Sequence, residues 1–138
     1  MLERAEDQER PVGPEGRVAT TVLERSGDVA RRARRFVRAT LVDWGWSDVE
    51  VAELLVSELA SNAVQHSEST TVGVTVRQVD GAVLVEIANV GAGEPTRQPP
   101  DPTRIGGHGL AVVAELARAW GVRRADAATV VWFELAGR

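Results

Sequence analysis

The chain has 138 residues, of which 43% are hydrophobic and 26% are charged, and its net charge is −4. This length suits one domain with a substantial core, and the absence of cysteine excludes disulfides and thiolate chemistry. The negative charge argues against direct nucleic-acid binding, because such affinity comes mainly from neutralising phosphates, and no apolar run approaches the roughly 20 residues of a membrane span.

The first third of the chain predicts a polar tail, a strand and a helix. Residues 1–16 carry prolines and glycines and predict a disordered tail. They lack the apolar core of a signal peptide, so we expect a cytoplasmic protein. Weak alternation over residues 17–25 predicts an edge strand. Apolar positions at helical spacing then predict a helix from Val29 to near Gly45, with Ser26 as its N-cap.

A second helix and a hairpin follow. The segment Ser47–Glu50 has the pattern of a capping box and predicts a helix that runs to about His66. Two alternating stretches, residues 71–79 and 82–88, are separated by Asp80-Gly81, which is a strong hairpin signal. We therefore expect two antiparallel strands joined by a tight turn.

The last third contains a long loop, a helix and two strands. Residues 89–107 hold several glycines and prolines and do not suit regular structure, so this loop is either functional or disordered. A helix is expected over about 109–120, and strands over 122–124 and 129–135. Antiparallel strand pairs with grouped helices predict an α+β two-layer sandwich rather than a doubly wound sheet.

The second helix carries two polar residues in an apolar context. Glu58 and Asn62 lie four residues apart, so they share one face of the helix. Burying a carboxylate and an amide is costly unless something bonds them, and asparagine is a poor helix former. Taken alone, the pair is explained equally well as the solvent edge of an amphipathic helix.

Two glycine-rich stretches flank the long loop. Residues 89–93, Asn-Val-Gly-Ala-Gly, follow a predicted strand, where glycine lets the backbone approach a ligand or simply makes a turn. Residues 106–110, Gly-Gly-His-Gly-Leu, open the last helix. Free N–H groups at a helix N-terminus favour an anion such as phosphate. Either stretch alone is weak evidence for a site.

In this order and spacing, the three features resemble one known family. Residues 56–66 are similar to the N-box of the GHKL ATPase superfamily, which includes gyrase, MutL, heat-shock chaperones and histidine kinases. Residues 89–93 resemble its Asp-x-Gly-x-Gly box, and residues 107–110 its Gly-x-Gly-Leu box. Further stretches resemble the small anti-sigma-factor serine/threonine kinases of that superfamily: residues 30–37 leading to Trp44-Gly45, residues 116–122 and residues 131–135.

The resemblance covers residues 17–136 as a single domain and implies a fold, a ligand and an activity. The fold is the Bergerat-type ATP-binding fold, with helices on one face of a mixed, mostly antiparallel sheet. Asn62 would ligate Mg²⁺, and Glu58 would be the general base in phosphate transfer from ATP to a serine or threonine. The nucleotide would contact Asn62, Asn89, Gly91, Gly93, Gly107, His108, Gly109 and Leu110. The implied partners are a sigma factor, an antagonist protein, or both, and the implied assembly is a homodimer.

The chain departs from the family pattern at the adenine end of the implied site. Asn89 stands where the family has an aspartate that accepts the adenine amine. Aligned on Trp132, the usual threonine falls on Val130, and we expect Thr129 to point to the opposite face of the strand. The sequence therefore predicts an ATP site with weakened or altered base recognition. The alternative is a degenerate module that binds a partner with little or no nucleotide and no kinase activity.

The first predicted helix is rich in arginine. A solvated basic face is the simplest interpretation, since no aromatic residues interleave with the arginines as nucleic-acid binding by stacking would require. The family resemblance favours a surface for a second subunit or a sigma factor. The arginines are Arg31, Arg32, Arg34, Arg35 and Arg38.

Overall fold

The computed structural model of the chain describes residues 16–65, 70–90, 109–125 and 128–136. The predicted tail and most of the long loop lie outside these residues. The described residues form five strands and three helices. In chain order they are β1 (Arg17–Glu24), α1 (Val29–Asp43), α2 (Glu50–Gln65), β2 (Thr71–Val79), β3 (Ala82–Val90), α3 (Gly109–Leu116), β4 (Ala119–Ala125) and β5 (Ala128–Ala136).

The strands form one sheet in the order β1-β2-β3-β5-β4, and each of the four pairings is antiparallel. The buried residues of the inner strands lie on one face, where Val74, Val85 and Phe133 are 0% exposed. They pack there against buried side chains of α1, α2 and α3. The other face of the sheet carries no helix among the described elements. This arrangement confirms the predicted α+β two-layer sandwich.

The hairpin between β2 and β3 forms where the sequence predicts it. Asp80 and Gly81 connect the strands, and both have positive φ, 53° and 75°. Two left-handed residues give a turn whose twist matches that of antiparallel strands. The register continues to the pairs Val72↔Asn89 and Thr71↔Val90. Strand β3 is therefore two residues longer than predicted, and Asn89 belongs to the sheet rather than to the loop.

The helix starts differ from the predicted caps. Asp28, not Ser26, occupies the N-cap position of α1. The Ser26 hydroxyl donates to Asp28 Oδ1 at 2.7 Å, and this bond lowers the pKa of the Asp28 carboxyl. Helix α2 begins at Glu50, with Val49 accepting the first helical bond, from Glu53 N. Val49, which is only 3% exposed, therefore stands at the N-cap position in place of Ser47.

Helix α3 is shorter than predicted, because the chain joins the sheet soon after Leu116. Arg118 N donates to Glu134 O at 2.8 Å, and β4 begins at the next residue. Trp120 then lies opposite Phe133 in register and packs against the core. A tertiary pairing has therefore overridden the helical pattern at Trp120 and Gly121, and the predicted strand at 122–124 is longer at both ends.

Helices α1 and α2 pack side by side, and arginines of α1 bridge to α2. Arg34 Nη1 donates to Ser57 Oγ at 3.3 Å, and Arg38 Nη1 to Glu53 Oε2 at 2.6 Å. The bond to Glu53 raises the pKa of Arg38. After α1, Trp46 Nε1 donates to Gln78 Oε1 at 2.8 Å, and the partly buried indole packs against the core. None of the described helices is long and apolar enough to span a membrane.

Candidate functional site

The C-terminal end of α2 is tied to one end of the sheet, which we call the site end. Here β1 and β3 end and β2 and β5 begin. Arg25, directly after β1, donates from Nη2 to the carbonyl of Val64 at 2.7 Å and from its backbone N to Thr70 O at 3.0 Å. The last turns of α2 therefore lie beside the strand ends that carry Val72 and its partner Asn89.

Asn62 presents a polar group that the described part of the chain does not satisfy. Its amide nitrogen Nδ2 is buried and has no hydrogen-bond partner there. Leaving a buried donor unpaired costs about 1–3 kcal/mol. Because the two ends of a side-chain amide are assigned from their hydrogen bonds, either its oxygen or its nitrogen can face a ligand. An amide with a free hydrogen-bonding group of this kind is able to bond a ligand.

Glu58 lies one turn before Asn62 on the same helix. The core-facing residues of α2 are Leu55, Val56, Leu59 and Ala60, each no more than 2% exposed. Glu58 and Asn62 are partly buried beside them, so the pair is not a fully solvated edge. Its carboxylate makes no side-chain hydrogen bond or ion pair with the described residues. An unengaged carboxylate in this position can accept a proton from a substrate.

The sheet contributes Asn89 and Thr129 on the face that the helices cover. In β3, Asn89 alternates with Val85 and Ile87, which belong to the core. In β5, Thr129 alternates with Val131 and Phe133, which also contact the core. The hydroxyl oxygen Oγ1 of Thr129 is buried and, like the amide of Asn62, lacks a partner among the described residues.

Thr129, and not Val130 as expected, lies on the face of the sheet that the helices cover. The two residues do point to opposite faces, as strand geometry requires. Val130 pairs with Ala88 and Arg123 and is 6% exposed, yet it is not part of the core cluster beneath the helices. Thr129 is the residue on the helix-covered face. Strand alternation from Phe133, which is 0% exposed, sets Thr129 on that face, one residue before the position that alignment on Trp132 indicates.

The glycine stretches are described only in part. Several residues of these stretches and of the loop between them lie outside the described residues: Gly91, Gly93, Arg97, Arg104, Gly107 and His108. His66, at the predicted end of the second helix, also lies outside them. Gly109 and Leu110 form the first turn of α3. This helix packs against α2 through Val113, which is 0% exposed, and it ends at the opposite end of the sheet, two residues before β4.

The donor set bears on which metal could bind. No group of three or more His, Cys, Asp or Glu residues in the described ranges could hold a metal ion. Asn62 offers a single neutral oxygen. Mg²⁺ suits such a site, since it usually keeps waters and takes one or two protein oxygens together with the phosphates of a nucleotide. The residues present therefore fit a magnesium ion that arrives with its nucleotide.

Comparison with known proteins gives a family and structural neighbours, of which we describe one. Residues 23–135 match the model of the histidine kinase-like ATPase domain family. The fold is similar to the crystal structure of the RsbU and RsbW domains of Rv1364c from Mycobacterium tuberculosis, with a TM-score of 0.63 over 87% of this chain at 20% identity. The chain spans 32% of that neighbour's length, and this likeness concerns the fold alone. No match was found among curated protein sequences.

Proposed function

This chain belongs to the histidine kinase-like ATPase domain family, and from that premise we propose that it is an ATP-dependent protein serine/threonine kinase of the anti-sigma-factor type. The observation that carries the proposal concerns Asn62 and Glu58, one turn apart: within the described part of the chain, the buried Nδ2 of Asn62 and the carboxylate of Glu58 have no hydrogen-bond partner. A magnesium-bound nucleotide could engage both ends of this amide, because a phosphate oxygen can accept from Nδ2 while the amide oxygen binds the metal ion.

The chemistry assigned to the two residues is complementary. Asn62 would hold the magnesium ion, whose charge offsets that of the phosphates when it is bound. Glu58 would accept the proton of a serine or threonine hydroxyl. The hydroxyl oxygen forms a bond to the γ-phosphorus as the bond from that phosphorus to the β–γ bridging oxygen breaks, so that ADP leaves. The products are a phosphorylated protein and ADP.

The proposed partners follow from the sequence resemblance. We place the phosphorylated residue on an antagonist protein and propose that a sigma factor is the regulated partner of a homodimer. The arginines of α1 are part of this proposal, but Arg31, Arg34 and Arg38 already bond to Asp28, Ser57 and Glu53 in the same chain. A partner at that surface would therefore meet arginines that are held in place by neighbouring side chains.

A second candidate function is a binding module without kinase activity. Asn89, in the place of an aspartate, is the observation that favours it. The absence of a threonine at Val130 would also favour the binding module, but Thr129 carries a hydroxyl on the helix-covered face. The kinase is therefore the better supported of the two.

Nucleotide binding is tested by calorimetric titration of Mg–ATP into wild type and Asn62→Ala. We expect binding by wild type and a loss of at least about tenfold in the variant, because the metal loses its protein ligand. The variant should also unfold at higher denaturant, since alanine removes an unpaired buried amide and favours the helix. Ser61→Ala is the control and should bind like wild type. Equal affinity in Asn62→Ala contradicts the assignment.

Phosphate transfer is tested with labelled ATP and a candidate antagonist protein. Glu58→Gln should bind ATP nearly as well as wild type and transfer phosphate about 10²- to 10⁴-fold more slowly, because the amide cannot take the proton. Glu50→Gln, an exposed change in the first turn of the same helix, should leave the rate unchanged. Undiminished transfer by Glu58→Gln refutes the base assignment, and ATP binding without any transfer supports the binding module.

A further inference from the structure

Asn89 and Thr129 are neighbours across two strands on the helix-covered face. The β3–β5 register runs from Ala82↔Ala136 to Ala88↔Val130. Asn89 and Thr129 are the next residue of each strand beyond that last pair. Because side chains alternate along a strand, Asn89 lies on the face of Ile87 and Thr129 on that of Val131, which is the face that the helices cover. We call these two residues, on one face at the site end, the polar pair.

Apolar neighbours surround most of this pair. On the far side of Asn89, β2 contributes Val72, which is 1% exposed. The nearest residues on the same face of β3 and β5 are Ile87 and Val131, which belong to or contact the core. Thr129 Oγ1 has no partner among the described residues, and the amide of Asn89 makes no side-chain hydrogen bond to them. A ligand with a polar edge would satisfy both groups.

Each residue of the pair can both donate and accept hydrogen bonds. An asparagine amide offers one acceptor oxygen and one NH₂ donor, and a threonine hydroxyl can either donate or accept. The terminal torsion of asparagine is broad, so its oxygen and nitrogen can exchange places. A carboxylate in the same position could only accept. The pair therefore imposes no fixed order of donor and acceptor on the ligand.

The two purine edges differ in that order. Adenine carries an amine donor at C6 beside an acceptor at N1, whereas guanine carries a carbonyl acceptor at C6 beside an N–H donor at N1. A carboxylate would place an acceptor oxygen opposite the carbonyl oxygen of guanine. With no proton between the two oxygens, guanine would be rejected. Asn89 can present its nitrogen to that carbonyl and its oxygen to the ring N–H.

From these features we propose that Asn89 and Thr129 read the base of the bound nucleotide, and that the pair accepts 6-oxopurine nucleotides as well as ATP. This inference rests on the proposed nucleotide-binding function and names its substrate class more broadly. Asn89 is the specificity-determining residue, and Thr129 is a contact shared by both classes of base.

The test is calorimetric titration of the full chain with Mg–ATP, Mg–GTP and Mg–ITP. Inosine shares the 6-oxo edge of guanine but lacks its 2-amino group, so Mg–ITP isolates recognition of that edge. We expect at least one 6-oxopurine nucleotide to bind wild type within about tenfold of ATP. In Asn89→Asp, the preference for ATP over the same nucleotide should rise about ten- to a hundredfold, mainly because 6-oxopurine binding is lost.

Two further variants separate base recognition from general loss of the site. Thr129→Val should weaken both nucleotide classes to a similar degree, since its hydroxyl serves either edge. Val130→Thr, on the opposite face, should leave affinities and selectivity unchanged in the folded protein. If wild type binds ATP but both 6-oxopurine nucleotides bind more than about tenfold more weakly, the inference is overturned and the proposed function stands. If no nucleotide binds, both are overturned.

Discussion

At the residue scale, two buried polar side-chain atoms have no hydrogen-bond partner among the residues that the structure describes, and both lie on residues of the candidate site. A protein core normally pairs its buried donors and acceptors, and each exception calls for an explanation. Asn62 and Thr129 come from different layers of the sandwich, a helix and a strand. A ligand between the layers would satisfy both at once. The resemblance pointed to Asn62, whereas only the structure points to Thr129.

A different residue, Gly121 in β4, is required by packing. A Cβ at Gly121 would lie 2.8 Å from Trp132 Cζ2 and 3.0 Å from Trp132 Nε1, since the indole lies over this glycine. We expect Gly121→Ala to lower the free energy of unfolding by about 1–3 kcal/mol. Urea denaturation followed by circular dichroism measures the loss.

The same change in a second background tests this explanation. In Trp132→Leu, the clash is absent, and Gly121→Ala should be neutral or stabilising, because alanine suits a strand better than glycine. A double-mutant cycle then gives a coupling between residues 121 and 132. Equal costs in both backgrounds would mean that the indole is not the reason for glycine at this position.

At the element scale, helix α2 joins the core to the site. Its buried residues fix which way the helix faces, and this orientation brings Glu58 and Asn62 to the border between the helix layer and the site end. Helix α3 shows the opposite situation, because its end is decided by a sheet bond from Arg118 to Glu134 and not by its own pattern. Local periodicity determines an element only where no tertiary partner competes for its backbone.

The orientation of α2 is tested by one substitution at two adjacent positions. Leu55 is 0% exposed and Leu54 is 43% exposed. Leu55→Ala should lower the free energy of unfolding by about 2–5 kcal/mol through lost burial and a cavity. Leu54→Ala should change it by no more than about 0.5 kcal/mol. Chemical denaturation of both variants measures the difference, and similar losses at the two positions would contradict the described orientation.

At the scale of the whole molecule, the two faces of the sheet have different roles. The inner face packs against the helices and contributes Asn89 and Thr129 to the site. The outer face carries Glu86, whose carboxylate is bridged by Arg77 at 3.6 Å and Arg123 at 3.0 Å. A site between the layers and a charged outer surface follow from the same two-layer arrangement, because only one face of the sheet is covered by the described helices.

By itself, the sequence determined the features that depend on near neighbours. The Asp80-Gly81 turn forms as predicted because two adjacent residues adopt the left-handed conformation that the hairpin needs. Helices α1 and α2 follow their apolar periodicity, with ends displaced by a few residues. The family was evident in the spacing of Glu58, Asn62 and the glycine stretches, and residues 23–135 match it.

The tertiary structure alone decided which side chains meet. The sequence could not say whether Thr129 or Val130 faces the helices, because a shift of one residue in strand register exchanges the two faces of the strand. Register depends on the pairing of β5 with β3, which is distant in the chain. The end of α3 likewise depends on the bond from Arg118 to Glu134. Whether Asn62 Nδ2 finds a partner among the described residues is also a matter of tertiary packing. Short-range preferences carry no information about such contacts, and the packed core supplies it.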